Sequence, residues 1–154
     1  MFIFSLGINE AALLALDYED IDFKEKTIKI NKLLYKNKIE KYNCAYQRRF
    51  LKIPAKLFNE IPKTKSGRIF NISPDSLDKE IAKLALALNI KDLTYEDFID
   101  THVKILIDNK IQVNLISSNL GFGDIRDFLK RYKNIIPETT PELFDPLDLI
   151  QGPL

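Results

Sequence analysis

The sequence predicts an α+β domain that is mainly helical and contains a small three-stranded antiparallel sheet. Apolar residues recur at helical spacing between Leu93 and Tyr132 and again after Ser73, whereas short alternating stretches occupy residues 20–53. The chain has 154 residues, of which 45% are hydrophobic, so it is long enough for one domain with a buried core.

Two helices are predicted before residue 93. Residues 2–17 form the first, with Leu13, Leu14 and Leu16 toward the core. Ser73 is a favourable N-cap and Pro74 suits the first helical position, so a second helix begins there. Asn89 ends this helix, and its predicted apolar face consists of Leu77, Ile81, Leu84, Ala85 and Leu88.

Strands are predicted at residues 20–23, 27–31 and 50–53. In the second strand Ile28 and Ile30 alternate with polar residues, which indicates one buried face. The segment between the second and third strands is longer than a tight hairpin. Residues 62–68, with the sequence PKTKSGR, are predicted to form a basic loop.

The segment from Leu93 to Tyr132 predicts three further helices. Thr94 and Asp97 have the spacing of a capping box, and Gly121 is typical of a helix end. A last amphipathic helix is expected from Asp124 to Lys133. The predicted core positions of the first two helices are Phe98, Val103, Ile105, Leu106, Ile107, Leu115, Ile116 and Leu120.

This segment resembles the tyrosine recombinases of the lambda-integrase type. Members of that family carry L-T-x-H-D-L-R-H-T-F-A-T and, after a short linker, L-L-G-H-S-x-I-x-T-T-L-x-x-Y. A second family pattern, T-G-L-R-x-x-E-L-L-A-L-x-W-x-D-I-D-F, is similar to residues 6–23, so the resemblance covers roughly residues 2–138. The matching residues are Gly7, Ile8, Leu13, Leu14, Ala15, Leu16, Asp20, Ile21, Asp22, Phe23, Leu93, Thr94, Asp97, Thr101, Leu106, Ile116, Leu120, Gly121, Ile125, Leu129 and Tyr132.

The resemblance implies a reaction that this chain is poorly equipped to catalyse. In the family a tyrosine attacks a DNA phosphodiester to form a 3′-phosphotyrosine, without a metal or other cofactor, and fixed cations stabilise the charged transition state. Tyr132 is the candidate nucleophile. The family's cationic positions are instead occupied by Asn9, Glu96, Ile99 and Phe122. We therefore expect a degenerate domain that does not cleave DNA by itself.

Basic residues are concentrated in one region of the chain. Residues 22–68 hold 14 Lys or Arg and 4 Asp or Glu, a net charge of +10, whereas the remainder has 9 basic and 18 acidic residues, a net charge of −9. Such a region is either a solvated surface or the binding surface for an anion, and the resemblance favours duplex DNA, bound weakly through its backbone. The candidate DNA-binding residues are Lys29, Lys32, Lys36, Lys38, Lys41, Arg48, Arg49, Lys63, Lys65 and Arg68.

Other site classes have little support in the composition. Cys44 is the only cysteine and His102 the only histidine, which is no metal-ligand pattern. The first residues lack the basic region of a signal peptide, and no apolar run approaches a membrane span of about 20 residues. A cytoplasmic protein without cofactor, metal or membrane partner is expected.

The expected domain organisation is an integrase-like catalytic domain at residues 1–138 and a tail at 139–154. The helices that precede this point in the family are missing, so apolar surface near Phe2, Phe4 and Leu6 is expected to be exposed or covered by another chain. The tail is rich in proline and apolar residues, and we expect it to dock on a neighbouring subunit, in a homo-oligomer or with a partner recombinase, or on its own domain.

Three functions remain open from the sequence. The first is a degenerate recombinase domain that binds DNA without cleaving it. The second is an active recombinase that uses Tyr132 with relocated cationic residues. The third is a protein-interaction module, or a remnant, without DNA affinity. Covalent trapping on nicked DNA distinguishes the second function, and salt-dependent DNA binding distinguishes the first from the third.

Overall fold

The computed structural model describes residues 5–137, and these form the mainly helical α+β domain that the sequence predicts. Short 3-10 helices, Tyr18–Asp20 and Ala45–Gln47, precede the strands β1 (Ile21–Asp22) and β5 (Arg49–Lys52), which lie on either side of β2 (Thr27–Ile30) in the sheet. The part of the chain after residue 137, including the predicted tail at 139–154, lies outside the described residues, as do Phe2 and Phe4. The α-helices are α1 (Glu10–Leu13), α2 (Ala55–Glu60), α3 (Pro74–Leu88), α4 (Tyr95–Asp108), α5 (Val113–Leu120) and α6 (Ile125–Tyr132).

The predicted three-stranded antiparallel sheet is present, with the strand order β1-β2-β5. Ile28 and Ile30 of β2 are completely buried, which confirms the predicted alternation. A separate two-stranded hairpin, β3-β4, was not predicted; it turns at Lys36 and Asn37, which have positive φ angles of 46° and 64°. The strands are β1 (Ile21–Asp22), β2 (Thr27–Ile30), β3 (Lys32–Tyr35), β4 (Lys38–Lys41) and β5 (Arg49–Lys52).

The prediction of one helix over residues 2–17 is wrong. Residues 7–9 are not helical, and Gly7 has a φ of +59°. A Cβ atom at Gly7 would lie 2.6 Å from Cδ2 of His102, so α4 packs directly on the backbone there. Leu6, just before this break, is buried in the core. Leu6 therefore does not form part of an apolar surface that is exposed or covered by another chain, whereas Phe2 and Phe4, for which the same was expected, lie outside the described residues.

The predicted helix ends are confirmed where local side chains define them. Thr94 and Asp97 form the capping box of α4, with Thr94 accepting from the Asp97 backbone N–H. Ser73 caps α3, whose C-cap Asn89 adopts the left-handed conformation at φ +53°. Gly121 ends α5 at φ +85°, and Asp124 caps α6.

Two hydrophobic clusters form the core. The first joins the sheet to α1, α2, α3 and the start of α4, and the second joins the end of α4 to α5 and α6. Leu120 packs at the edge of both clusters. Some predicted core positions are instead exposed, because they fall at the edge of their helix's apolar face; these are Leu84, Leu88, Ile105 and Leu115.

The described residues contain little that bears on other kinds of site. Over residues 5–137 no helix has the length and apolar character needed to cross a membrane. In the same range His, Cys, Asp and Glu side chains do not gather in a group of three or more that could hold a metal ion. Cys44 is an exposed free thiol.

Candidate active site

The residues singled out for catalysis in the sequence lie around one cavity of about 250 Å³, which we call the tyrosine cavity. Asn9, Glu96, Ile99, Phe122 and Tyr132 all line it, although they come from four separate parts of the chain. The cavity lies where the two hydrophobic clusters meet. Its other lining residues are Gly7, Leu120, Gly121 and Arg131. The assignment of catalytic roles to these positions stays a prediction.

Asn9, which the sequence resemblance aligns with the family's first arginine, has a structural role. Its Oδ1 accepts a hydrogen bond of 2.9 Å from the Ala12 backbone N–H, which caps α1. Its Nδ2 donates to the Tyr42 hydroxyl over 3.2 Å. The amide therefore fixes the start of α1 and ties it to the segment after β4, but it supplies no positive charge to the cavity.

Tyr132 is part of an aromatic cluster. Its ring centroid lies 4.9 Å from that of Phe128 and 6.2 Å from that of Phe122, and only 2% of the residue is exposed. Burial raises the pKa of the Tyr132 hydroxyl, and the nearby Asp100 and Glu96 carboxylates add to the increase. The neighbouring Arg131 guanidinium acts in the opposite direction, but the net pKa is above its usual value.

Arg131 is a cation of the tyrosine cavity that the sequence alone does not indicate. Its Nη2 lies 2.5 Å from Glu96 Oε2 and 3.8 Å from Asp100 Oδ1, so two carboxylates of α4 face it. Its Cζ also lies 5.4 Å from the centre of the Tyr132 ring. Arg131 directly precedes Tyr132 in sequence, yet its partners are on another helix, so no local pattern could identify it. Ile99 adds a buried aliphatic wall.

Comparisons with known proteins support the assignment of the fold. No protein-family model matches the chain. The integrase of Staphylococcus phage L54a is 25% identical over 171 residues, covering 92% of this chain and 48% of that protein. The Tn1549 transposon integrase, solved with its transposon right end DNA, is similar with a TM-score of 0.74 and 14% identity, over 92% of this chain and 54% of the other.

A second solved structure, the XerA recombinase, has the same fold. Its TM-score is 0.64 at 12% identity, over 88% of this chain and 56% of that one. The described domain therefore has the fold of tyrosine recombinase catalytic domains. It spans about half the length of the curated relative and of the solved recombinases that it matches.

Two of the candidate DNA-binding residues of the recombinase-type domain are paired with its own groups. Lys32 Nζ lies 2.8 Å from Asp20 Oδ2 and also contacts Asp17, and its side chain is only 15% exposed. The Arg68 guanidinium donates to the Leu14 carbonyl oxygen. Lys32 of β3 and Arg68, which follows the loop after α2, both contact the segment after α1, and their charge is directed inward.

Arg49 occupies an intermediate position in the recombinase-type domain. Its Nε donates to the Asn119 carbonyl oxygen over 2.6 Å, and its Nη1 donates to the Gln47 carbonyl oxygen over 3.0 Å. Burial lowers the pKa of this guanidinium. The remaining candidates are exposed and lie on the sheet, on the β3-β4 hairpin and in the loop after α2; they are Lys29, Lys36, Lys38, Lys41, Arg48, Lys63 and Lys65.

Proposed function

We propose that this tyrosine recombinase-type domain serves DNA integration or recombination by binding duplex DNA through its backbone, and that it does not cleave the bound strand. The proposal rests on the residues that line the tyrosine cavity. A buried tyrosine is present there, but the cation beside it, Arg131, already pairs with Glu96 and faces Asp100.

The chemistry explains why this arrangement disfavours cleavage. A tyrosine that attacks a phosphodiester creates a pentavalent phosphorane with extra negative charge, and without a metal that charge needs fixed donors. Loss of one such donor typically lowers the rate by about 10²–10³-fold. Here an amide, a carboxylate, an aliphatic chain and a phenyl ring line the cavity. Glu96 would also place a negative charge beside the phosphate.

The nucleophile itself is unfavourable. The hydroxyl of Tyr132 must lose its proton to attack, and burial raises the pKa of this group. Its ring also packs against those of Phe122 and Phe128. The raised pKa opposes nucleophilic attack, because less of the phenol is ionised at neutral pH.

DNA binding is supported by the exposed cations of residues 22–68 and by the fold. The Tn1549 integrase, which shares that fold, was solved with a circular intermediate DNA as well as with transposon DNA. The exposed lysines lie on the sheet and hairpin, where an extended polyanion can contact several of them at once. A cytoplasmic location is part of the same proposal.

Salt dependence of DNA affinity tests the binding. Kd for a labelled duplex, measured over a series of salt concentrations, is expected to rise steeply, with a log–log slope of about 0.9 for each phosphate that the protein neutralises. Absence of binding at low salt would overturn the proposal and favour a protein-interaction module. A Kd that does not change with salt would also overturn it, because phosphate contacts would then be absent.

A second candidate function is favoured by one observation. The Arg131 guanidinium lies beside Tyr132, with Cζ 5.4 Å from the ring centre, and its proximity lowers the pKa of the hydroxyl against the effect of burial. An active recombinase with a relocated arginine would use that contact to prepare the nucleophile. The two functions differ in a single product, a covalent link between Tyr132 and DNA.

A further inference from the structure

A second cavity, of about 340 Å³, lies between β2, β5 and the segment that follows β4. Lys29, Lys41, Arg48 and Arg49 line it, together with Tyr42. Among the described residues 5–137, no Asp or Glu lines this cavity, which we call the basic cavity. Four cations around one opening without a carboxylate are costly unless an anion or bulk solvent compensates them.

Arg49 is held in a fixed orientation at this cavity. Its Nε and Nη1 donate to the carbonyl oxygens of Asn119 and Gln47, over 2.6 and 3.0 Å. Its Nη2 is buried and has no hydrogen-bond partner among the residues described. A buried guanidinium nitrogen without an acceptor costs free energy, and the oxygen of a bound anion would satisfy it.

We propose that the basic cavity is a phosphate-binding site, in which Arg49 supplies a fixed donor and Lys29, Lys41 and Arg48 supply charge at the opening. The inference rests on the proposed function where the phosphate belongs to a DNA backbone, although a free phosphate has the same chemistry. Asn31 also lines the cavity with a buried, unpartnered side-chain oxygen. A rotation of its amide by half a turn would present the NH₂ group instead.

The basic cavity adjoins the tyrosine cavity. Tyr42 lines the basic cavity and accepts the hydrogen bond from Asn9, which lines the tyrosine cavity. Gly121 lines the tyrosine cavity, and a Cβ atom there would lie only 2.7 Å from Arg49 Nη1. A phosphate held by Arg49 would therefore lie in the cavity next to the one that Tyr132 lines.

Two double variants with the same change in net charge test the site. Lys41→Ala/Arg48→Ala removes two exposed cations that line the basic cavity. Lys36→Ala/Lys38→Ala removes two exposed lysines of the β3-β4 hairpin that do not line the cavity. We expect the first pair to lower the salt slope of duplex binding by about 0.9 or more, and the control pair to change it less. Equal effects of the two pairs would overturn the site but leave DNA binding intact.

A charge-conserving variant tests the geometry at Arg49. Arg49→Lys keeps the positive charge but loses the planar arrangement of donors, so the affinity for duplex DNA is expected to fall about tenfold or more while the fold, followed by circular dichroism, is retained. Unchanged affinity would contradict a role for Nη2. If Arg49→Lys fails to fold, the two double variants still decide the question.

Inorganic phosphate distinguishes the sources of the ligand. At matched ionic strength, phosphate is expected to raise the Tm of the wild type and not that of Lys41→Ala/Arg48→Ala. A rise in Tm with phosphate that depends on Lys41 and Arg48 supports phosphate binding in the basic cavity, even if the protein does not bind duplex DNA and the proposed function is wrong. If phosphate competes with DNA for the wild type, a free phosphate also occupies the site. If phosphate does not compete, but Lys41→Ala/Arg48→Ala lowers the salt slope of duplex binding, the site binds the phosphate of a DNA backbone. No effect of the lining pair in either assay overturns the inference.

Discussion

Arg131 Nη2 lies 2.5 Å from Glu96 Oε2, and this ion pair joins α6 to α4 at the tyrosine cavity. A positive charge is therefore present beside Tyr132, but the Glu96 carboxylate compensates it. The pair is partly solvent-exposed, with 45% and 60% of the two side chains accessible. The effect of this pair on the pKa of Tyr132 is consequently easier to measure than its effect on the free energy of unfolding.

Replacement of Glu96 by Gln should lower the pKa of Tyr132. The carboxylate raises that pKa and Arg131 lowers it, so removal of the negative charge shifts the balance toward the ionised phenol. Because the ion pair is exposed, the free energy of unfolding should change by less than about 1 kcal/mol. Spectrophotometric titration of Glu96→Gln and of the wild type, each compared with its Tyr132→Phe counterpart, isolates the signal of this tyrosine. An equal or higher pKa in Glu96→Gln would contradict the arrangement.

Asn9→Ala should destabilise the fold. The variant removes the cap of α1 and the donor to the Tyr42 hydroxyl, and loss of such a cap typically costs about 0.5–2 kcal/mol. Urea unfolding followed by circular dichroism measures the difference. Asn9→Asp is the matched control, since it retains the cap acceptor, and it should be closer to the wild type. Asn9→Ala as stable as the wild type would show that the amide has no structural role.

Gly121→Ala should be more destabilising than Gly67→Ala. Both glycines have positive φ angles, +85° and +76°, which cost an L-residue about 1–2 kcal/mol. At Gly67 an added Cβ would meet nothing within 4 Å, whereas at Gly121 it would lie 2.7 Å from Arg49 Nη1. The difference between the two unfolding free energies therefore measures the contact between Arg49 and the α5 C-cap. Equal values would indicate that Arg49 moves aside freely.

Local sequence signals account for much of the fold. The capping box of Thr94 and Asp97, the Ser73 cap and the Gly121 stop depend on hydrogen bonds within a few residues, so they can be read from spacing alone. The alternation of Ile28 and Ile30 likewise predicts a half-buried strand. These features fix the helices and the sheet that surround the tyrosine cavity.

The features that the sequence did not predict depend on contacts between distant residues. Gly7 interrupts the first predicted helix because His102 and Leu120 pack against its backbone. The β3-β4 hairpin turns at Lys36 and Asn37, without the glycine that usually marks such a turn. At the site, Arg131 was missed because its partners are on another helix, and the basic cavity exists only when β2, β5 and the segment after β4 come together.

Covalent trapping on nicked duplex DNA tests most directly whether Tyr132 is a nucleophile. In such a substrate the nick allows the leaving strand to diffuse away, so an attack on the phosphodiester leaves the protein attached to the DNA. We predict no denaturant-stable adduct with the wild type under conditions in which it binds the same duplex. An adduct that forms with the wild type and is lost in Tyr132→Phe would show that Tyr132 attacks the DNA strand, and would contradict the proposed function.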